Sequence, residues 1–406
     1  MNEQITISGT QGKAAKSDCF ISFQQTVSGG NIINLKSKVE ANFGNSIRNL
    51  ALDILDFFEI ENSILNIEDQ GALDFVLAAR IEAAIKKQIN SENEYLLAQR
   101  KENQIPTSKE KNRFSRLYLP GNSPKLMINA GLHNPDGLIL DLEDAVSPDK
   151  KYEARFLVRN ALRSVNFYGA ERMIRINQGN LAEEDLKLVI PQKPNLVLIP
   201  KCESAVNINS INKLIDKYKA DNQPIWLMPI IESALGVEMA FEIAKAADNI
   251  VALAIGLEDY TADIGAPRTD NATESFYART RLVNACKAAG IQAIDSVFSN
   301  VSDMEALAEN VKVSKSLGFN GMGCIHPRQI KVIHDNFAPN EKEIEKACKI
   351  VNAFLIAEEK GLGVVALGSK MIDAPVVKRA QKVVDLALNL KLIQDNWRDG
   401  FIQKKN

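Results

Sequence analysis

From Arg113 onwards the chain alternates short apolar runs with longer amphipathic stretches. The short runs have the length of buried strands, and the stretches between them carry apolar residues at helical spacing. The predicted strands cover residues 116–119, 137–142, 173–176, 196–199, 225–231, 250–255, 292–296 and 322–325. Helices are predicted between them, for example over 204–216, 237–247, 276–289 and 302–317. Eight such repeats favour an α/β fold, a (β/α)8 TIM barrel. An open doubly wound sheet is the alternative, but no GxGxxG motif follows an early strand.

Residues 1–87 have a different pattern, which predicts a small α+β domain. A weakly alternating strand over 18–23 is followed by a Gly-Gly-Asn turn at 29–31 and a second strand over 32–35, which together predict a hairpin. The remaining predicted elements are a helix over 39–58, a strand over 63–67 and a helix over 73–87.

The stretch 88–112 is polar and mixed in charge, with few periodic apolar residues, and it is the best domain boundary. Composition does not decide between a flexible tether and a partly helical segment. We therefore predict an N-terminal domain over 1–87, a linker over 88–112 and a barrel over 113–406. The barrel's C-terminal extension is predicted to be helical, with an irregular segment over 361–375.

The composition is that of an ordinary globular protein. Of 406 residues, 45% are hydrophobic and 25% charged, and the net charge of −2 gives no electrostatic reason to expect nucleic acid. The five cysteines are far apart and form no CxxC pair, so neither a disulfide framework nor a thiolate zinc site is indicated. Without a secretory signal pattern or a long apolar run, we expect a cytoplasmic protein that does not contact a membrane.

Almost every predicted strand ends at an ionisable residue, and in a barrel these ends meet at one face. Glu232 and Asp259 each follow an apolar run, and two carboxylates converging there suit a hard divalent cation such as Mg2+. The alternative for either is a helix cap or an ion pair with a basic residue. The other ionisable residues at or just beyond strand ends are Asp141, Glu143, Asp144, Arg175, Lys201, Glu258, Asp295 and His326.

Arg175 suits a substrate carboxylate or a developing enolate oxygen, because its guanidinium is a rigid fork of donors. It could equally pair with Asp141 or Glu143, and the two roles are compatible. The acidic cluster of Asp141, Glu143 and Asp144 fits the holding of ordered water beside a metal. His326 is a minor candidate for a general base, and Cys324 is predicted to lie in the core.

Read in order, seven motifs of this chain resemble the citrate lyase β-subunit family, which includes malyl-CoA and citramalyl-CoA lyases. They are RLYLPG (116–121), DLEDA (141–145), IRIN (174–177), PIIESALG (229–236), GLEDY (256–260), CIHP (324–327) and KMIDAP (370–375). The resemblance implies Mg2+ ligands at Glu232 and Asp259, substrate binding by Arg175, and a thioester near Pro120 and Gly121. It also implies that Asp373 acts as an acid/base group donated across a subunit interface in a homo-oligomer. The alternative is that Asp373 caps a helix.

The N-terminal domain resembles the γ-subunit of the same complex, an acyl carrier protein, through VEANFGNSIR (39–48), NIEDQGALD (66–74) and AARIE (78–82). That family attaches phosphoribosyl-dephospho-CoA to a serine two positions before an aspartate. Here Lys16 holds that position, and Ser17 is the adjacent hydroxyl before Asp18. Either Ser17 carries the group after a one-residue slip, or the attachment site is lost.

Together these features predict a Mg2+-dependent carbon–carbon lyase that cleaves a citryl-thioester on a carrier to oxaloacetate and an acetyl-thioester. Its expected partner is the citrate lyase α-subunit, an acyltransferase that would load the carrier. One alternative is a free-standing lyase for malyl-CoA or citramalyl-CoA, and another is a non-catalytic carrier or scaffold subunit.

Overall fold

The structure, a computed structural model, describes residues 4–12, 15–269, 271–359, 365–367 and 370–399. It forms two compact units, and the chain passes from the first to the second between Ile333 and His334. The first unit contains the N-terminal domain and the eight strands of the barrel. The second consists mainly of helices.

The N-terminal domain is a four-stranded sheet covered by two helices, with the strand order β1-β2-β4-β3. Its elements are β1 (Thr6–Gly9), β2 (Cys19–Gln25), β3 (Asn31–Ser37), α1 (Glu40–Phe57), β4 (Ser63–Asp69) and α2 (Asp74–Ile85). Alternate residues of β2 and β4, such as Ile21 and Leu65, are fully buried and pack with apolar residues of both helices. The predicted α+β domain is therefore present.

The predicted hairpin between β2 and β3 is wrong. β4 lies between these strands, antiparallel to β2 and parallel to β3, so that Leu65 is opposite Phe23 on one side and Ile33 on the other. Gly29 and Gly30 do form a turn with positive φ, but the chain then crosses the sheet through α1. Strand alternation fixes which face of a strand is buried, and it does not fix which strand lies beside it.

The segment 88–112 contains no strand, and its regular structure is one 3-10 turn at Lys101–Gln104. It is hydrogen-bonded to the barrel at several points. Arg163 Nε donates to the Leu97 carbonyl at 2.6 Å, and the buried Asn103 amide donates to the Val165 carbonyl at 2.8 Å. The segment is thus held on the barrel surface.

The barrel is closed by eight parallel strands in chain order, which confirms the predicted (β/α)8 architecture. The strands are β5 (Ser115–Pro120), β6 (Gly137–Asp141), β7 (Glu171–Arg175), β8 (Leu196–Ile199), β9 (Trp226–Ile231), β10 (Ala252–Ile255), β11 (Gln292–Asp295) and β12 (Gly321–Cys324). The helices are α3 (Pro124–Met127), α4 (Lys151–Ser164), α5 (Asn180–Val189), α6 (Ala205–Tyr218), α7 (Ala234–Glu238), α8 (Ala240–Ala244), α9 (Leu257–Asp263), α10 (Phe276–Ala289), α11 (Met304–Leu317) and α12 (Arg328–Phe337). The single helix predicted over 237–247 is instead the pair α7 and α8, which meet at Met239.

Barrel strands are buried on both faces, which explains why they appear as unbroken apolar runs in the sequence. One set of side chains fills the interior, including Ile139, Met173, Leu198 and Met228, all fully buried. The alternate set packs outwards against the helices. Most of the interior is therefore a packed core.

The N-terminal domain packs against the barrel through α2 and α4, and buried ion pairs cross this interface. Glu82 Oε2 accepts from Arg159 Nη2 at 2.5 Å, and neither side chain is exposed. Arg80 donates to Asp18 of its own domain at 3.0 Å and to Glu153 of α4 at 3.3 Å. Buried charges of this kind need their partners, so the two domains depend on each other for satisfied polar groups.

The second unit contains the helices α13 (Glu341–Glu358) and α14 (Ala374–Asn389) with a short hairpin of β13 (Val365–Leu367) and β14 (Lys370–Ile372). Its core includes Val351 of α13 and Val384 of α14. The hairpin lies within the segment predicted to be irregular. No helix in the described ranges has the length and apolar character that a membrane span requires.

Candidate active site

A cavity of about 220 Å³ lies at the carboxyl ends of the barrel strands. Most of its ionisable lining comes from the strand ends singled out in the sequence. The ionisable residues that line it are Arg116, Tyr118, Asp141, Arg175, Glu232, Glu258, Asp259 and Asp295. The predicted metal ligands Glu232 and Asp259 therefore share one cavity with Arg175.

Glu232 follows β9 and is only 5% exposed. Its Oε1 accepts a hydrogen bond of 2.7 Å from the backbone N–H of Lys201. Burial, together with the nearby charges of Asp259 and Glu143, raises the pKa of Glu232 to about 7, against the opposing effects of the Lys201 N–H bond and the Arg175 charge. Gly256 leaves the space beside the other oxygen open, because a Cβ at that position would collide with Oε2.

Asp259 lies in the first turn of α9, directly after β10, and is partly exposed to the cavity. Its carboxylate forms no hydrogen bond or ion pair with any other described residue. It is close enough to Glu232 and to Lys201 to shift the pKa of both. An unpartnered carboxylate beside a buried one is an arrangement that a cation would stabilise.

This donor set fits a hard divalent cation. Two carboxylates supply oxygen ligands, and Mg2+ characteristically binds one or two carboxylates while keeping water or substrate in its other positions. Groups of three or more Asp, Glu, His or Cys side chains suited to a metal do not occur among the residues that the structure describes. A dedicated all-protein cage, as for a structural zinc ion, is thus absent from this part of the chain.

Arg175 at the end of β7 is held in place by Asp141 at the end of β6. Its Nε and Nη2 donate to the two Asp141 oxygens at 2.7 and 2.5 Å. Burial lowers the pKa of Arg175, but its hydrogen bonds and ion pair with Asp141 raise it by more, so the group stays cationic. Its guanidinium also lies over the Tyr118 ring, 5.3 Å from the centroid. Both interactions considered for Arg175, lining the cavity and pairing with Asp141, therefore occur together.

Glu143 and Asp144 lie beside Arg175 and outside the cavity lining. Arg175 Nη1 is 3.0 Å from Glu143 Oε2 and 3.5 Å from Asp144 Oδ2. Lys201 Nζ approaches Glu143 at 3.5 Å, and its backbone φ of 47° is the left-handed conformation that aims its N–H at Glu232. The acidic cluster thus has two basic neighbours, Arg175 and Lys201.

Four other predicted residues offer no free functional group to the cavity. Pro120 and Gly121 lie outside its lining, and the Gly121 N–H donates to the Asp141 carbonyl at 2.7 Å. His326 also lies outside the lining, and its Nδ1 accepts from the Arg328 N–H at 3.1 Å. Asp295 touches the cavity, but its carboxylate is paired with the buried Arg279.

Asp373 belongs to the second unit and precedes α14. Its Oδ1 accepts a hydrogen bond of 3.1 Å from the Val376 N–H, so it caps that helix. Asp373 thus has the helix-capping role that was the alternative to acid/base catalysis. The cap uses only Oδ1.

Ser17 lies in a tight turn with a φ of 59°, and it is more buried than the exposed Lys16. Its hydroxyl forms no hydrogen bond with another described residue. The neighbouring Asp18 carboxylate binds Arg80, whose Nη2 also donates to the Asn122 carbonyl at 3.2 Å. Asn122 belongs to the loop after β5, so Arg80 links Asp18, the neighbour of Ser17, to the barrel rim.

Sequence reasoning missed two residues of the cavity, Arg116 and Tyr118. They occupy alternate positions on β5, and their side chains point into the barrel. The available signal was this alternation, since Leu117 and Leu119, at the other alternate positions, are buried on the outer face. Cys324 is fully buried, as predicted.

Two sequence profiles match the chain. Residues 115–327 match the HpcH/HpaI aldolase/citrate lyase family, and residues 7–88 match the malonate decarboxylase δ-subunit family of acyl carrier proteins. The chain is 38% identical to the citrate lyase subunit β of Leuconostoc mesenteroides subsp. cremoris over 284 residues, which are 68% of this chain and 94% of that protein. It is 32% identical to the human mitochondrial citramalyl-CoA lyase over 293 residues, which are 68% and 85% of the two chains.

Solved structures agree with this relationship. A Mycobacterium tuberculosis protein crystallised with magnesium, acetoacetate and coenzyme A is 27% identical, with a TM-score of 0.57, and the match covers 69% of this chain and 99% of that one. A citrate lyase from Burkholderia xenovorans shares the fold, with a TM-score of 0.61 at 21% identity over 69% and 92% of the two chains. On these matches, the chain belongs to the HpcH/HpaI aldolase/citrate lyase family and is a carbon–carbon lyase with an acyl-carrier-like domain at its N-terminus.

Proposed function

We propose that this lyase cleaves a citryl-thioester to oxaloacetate and an acetyl-thioester, using Mg2+ held by Glu232 and Asp259. The observation that carries the proposal is the shared cavity, in which a buried carboxylate and an unpartnered one lie with the cationic Arg175. The similarity to citrate lyase β-subunits supports the choice of substrate.

Each group of the cavity has a task in this reaction. When bound, the divalent cation would draw electrons from the carbonyl that forms as the carbon–carbon bond breaks. Glu232 and Asp259 hold it, and the Lys201 N–H fixes the orientation of Glu232. Asp141 and Glu143 orient Arg175 and act through it, so we assign them as positioning residues.

The bond changes balance without a further reagent. A base removes the proton from the substrate hydroxyl, the hydroxyl oxygen becomes the carbonyl oxygen of oxaloacetate, and the bond between the two carbons breaks. Its electron pair passes to the thioester carbonyl as an enolate, which Arg175 stabilises through N–H groups that its acidic neighbours leave free. Protonation of the enolate carbon then gives the acetyl-thioester.

We propose Asp373 as the acid/base group, supplied within a homo-oligomer. The capping bond uses Oδ1, and Oδ2 is left for proton transfer. This assignment follows the resemblance of the KMIDAP motif, and it makes subunit assembly a requirement for activity.

For the carrier, we propose Ser17 as the attachment site of phosphoribosyl-dephospho-CoA and a citrate lyase α-subunit as the partner that loads it. The match to acyl carrier proteins supports this role, as does the short path from Asp18 through Arg80 to the loop after β5. The alternative is a free-standing CoA-thioester lyase for citramalyl-CoA or malyl-CoA. Lys16 in the expected serine position favours that alternative.

Turnover of citryl-, citramalyl- and malyl-CoA, measured with Mg2+ and with excess EDTA, tests the proposal. We expect citryl-CoA to be the preferred substrate, and Glu232→Gln and Asp259→Asn each to lower turnover more than about 100-fold. Glu242→Gln is the matched control, because Glu242 is an exposed residue of α8 outside the cavity lining. Full activity in EDTA would defeat the metal assignment, and a preference for citramalyl-CoA or malyl-CoA would select the alternative.

A further inference from the structure

Four arginines are among the largest fully buried side chains of the described structure. Three of them are paired with buried carboxylates: Arg80 with Asp18 at 3.0 Å, Arg113 with Glu171 at 2.7 Å, and Arg159 with Glu82 at 2.5 Å. The fourth, Arg116, has no carboxylate partner among the residues that the structure describes.

The surroundings of Arg116 do not compensate for its charge. Its Nη1 lies 2.8 Å from the Met228 sulfur, which is a weak acceptor, and its buried Nε has no hydrogen-bond partner. Burial lowers the pKa of Arg116, as expected for a cation removed from water. A buried charge without a counter-charge is destabilising, so an anionic ligand would be strongly favoured here.

Arg116 is positioned to meet such a ligand. On β5 it lies in register between Gly137 of β6 and Gly323 of β12, and its side chain lines the cavity. It lines the same cavity as Arg175, but from a position nearer the amino ends of the strands, since Arg175 is in register with Asp141. Arg116 and Arg175 are the two cationic side chains of this lining.

We infer that Arg116 binds a second carboxylate of the substrate, the one on the carboxymethyl branch of a citryl-thioester. This inference rests on the proposed function and narrows its substrate class. The guanidinium fork matches a carboxylate with two parallel hydrogen bonds, and the side chain that carries it lines the cavity.

The chemistry of the three candidate thioesters makes Arg116 a determinant of specificity. They share the thioester, the hydroxyl and the adjacent carboxylate. In the proposed function these groups interact with Arg175 and with the cation held by Glu232 and Asp259. They differ at one substituent of the carbinol carbon, which is carboxymethyl in citryl, methyl in citramalyl and hydrogen in malyl. A cation at the floor of the cavity discriminates in favour of the first.

Calorimetry of the full chain with Mg2+ tests this inference on the products oxaloacetate and pyruvate, which differ by the same carboxylate. We expect wild type to bind oxaloacetate more tightly than pyruvate. Arg116→Met keeps a long side chain without the charge, and it should weaken oxaloacetate binding about 10- to 100-fold while leaving pyruvate binding within about twofold. Arg116→Lys, which keeps the charge and loses the fork, should fall between the two.

A thermal melt checks the fold of Arg116→Met, which should be no less stable than wild type because an unpaired buried charge is removed. Equal affinity of wild type for the two products would overturn the inference without any variant. The inference would also be overturned if Arg116→Met lost affinity for both products equally, or if it lost no affinity for oxaloacetate.

The failure of this inference is distinguishable from failure of the proposed function. If wild type cleaves the thioesters and Arg116→Met leaves the ratio of citryl-CoA to citramalyl-CoA turnover unchanged, the role of Arg116 alone is wrong. If wild type cleaves none of them and still binds oxaloacetate through Arg116, the carboxylate site stands and the lyase reaction proposed above does not.

Discussion

Burial and two like charges act together on Glu232, and they raise its pKa to about 7. A metal ligand must be deprotonated, so protons compete with Mg2+ at this carboxylate. Because the pKa is raised, the competition occurs near neutral pH. We predict that apparent Mg2+ affinity is constant above about pH 8 and falls about tenfold for each pH unit below 7. Calorimetric titration with Mg2+ between pH 5.5 and 8.5 measures this profile.

Asp259→Asn provides an internal check on the cause of that profile. Removing the neighbouring negative charge should move the midpoint to lower pH as well as weaken binding, whereas Glu242→Gln should leave the midpoint unchanged. A flat profile in wild type across the whole range would contradict the assignment of Glu232 as a ligand.

At the residue scale, the convergence of Glu232 and Asp259 on one cavity could be predicted, because each carboxylate follows an apolar run and barrel geometry brings such ends together. The same reasoning could not find Arg116. A charged residue inside a strand is normally taken to face solvent, and the sequence does not show that this face of β5 lines a cavity. It also could not show that the two oxygens of Asp141 are both engaged by Arg175, which depends on the register of β6 and β7.

At the scale of elements, the packing of α2 on α4 depends on the buried pair of Glu82 and Arg159. We predict that Glu82→Gln lowers the free energy of unfolding by about 3–5 kcal/mol, because it removes the fully buried counter-charge of Arg159 and leaves only the more exposed Glu94 at 3.3 Å. Urea denaturation followed by circular dichroism measures the loss. The matched control is Glu309→Gln, whose exposed pair with Lys312 at 2.6 Å should contribute less than about 1 kcal/mol. If both variants lost a similar free energy of unfolding, burial of the ion pair would not increase its contribution to stability.

Asp373 allows its capping role and its proposed catalytic role to be separated. Asp373→Ser keeps an N-cap side chain and removes the carboxylate, so we predict near wild-type stability with turnover lowered at least about 100-fold. Asp303→Ser is the control, since Asp303 caps α11 in the same way through the Ala306 N–H. Turnover and a thermal melt are measured on the same preparation. If Asp373→Ser kept full turnover, Asp373 would cap the helix and would not be the acid/base group.

Most of the helices and strands could be predicted from the sequence. Their arrangement could be predicted only where a rule of topology applies. Parallel strands joined by helices close in chain order, so eight periodic repeats were enough to predict the barrel. In the N-terminal domain no such rule orders the strands, and the insertion of β4 between β2 and β3 was missed. The break between α7 and α8 at Met239 was missed as well, because it interrupts the hydrogen bonds without interrupting the apolar spacing.

At the scale of the whole molecule, the carrier role requires a covalent group on Ser17. We predict that intact-mass measurement of the protein purified from its native host shows a prosthetic-group increment, and that Ser17→Ala removes it. Lys16→Ala should retain the increment, because the lysine only neighbours the attachment site. Unmodified wild type would select the free-standing CoA-thioester lyase.

The interface between α2 and α4 also has a consequence for how such a carrier would operate. Because buried ion pairs fix the domain on the barrel, the attachment point of a covalent arm would not move. The distance that the thioester can reach would then depend only on the length of the arm. A loading enzyme must then approach the same face of the barrel from which the cleaved product leaves. Loading and cleavage would therefore alternate on each chain, with the arm withdrawn from one before the other begins.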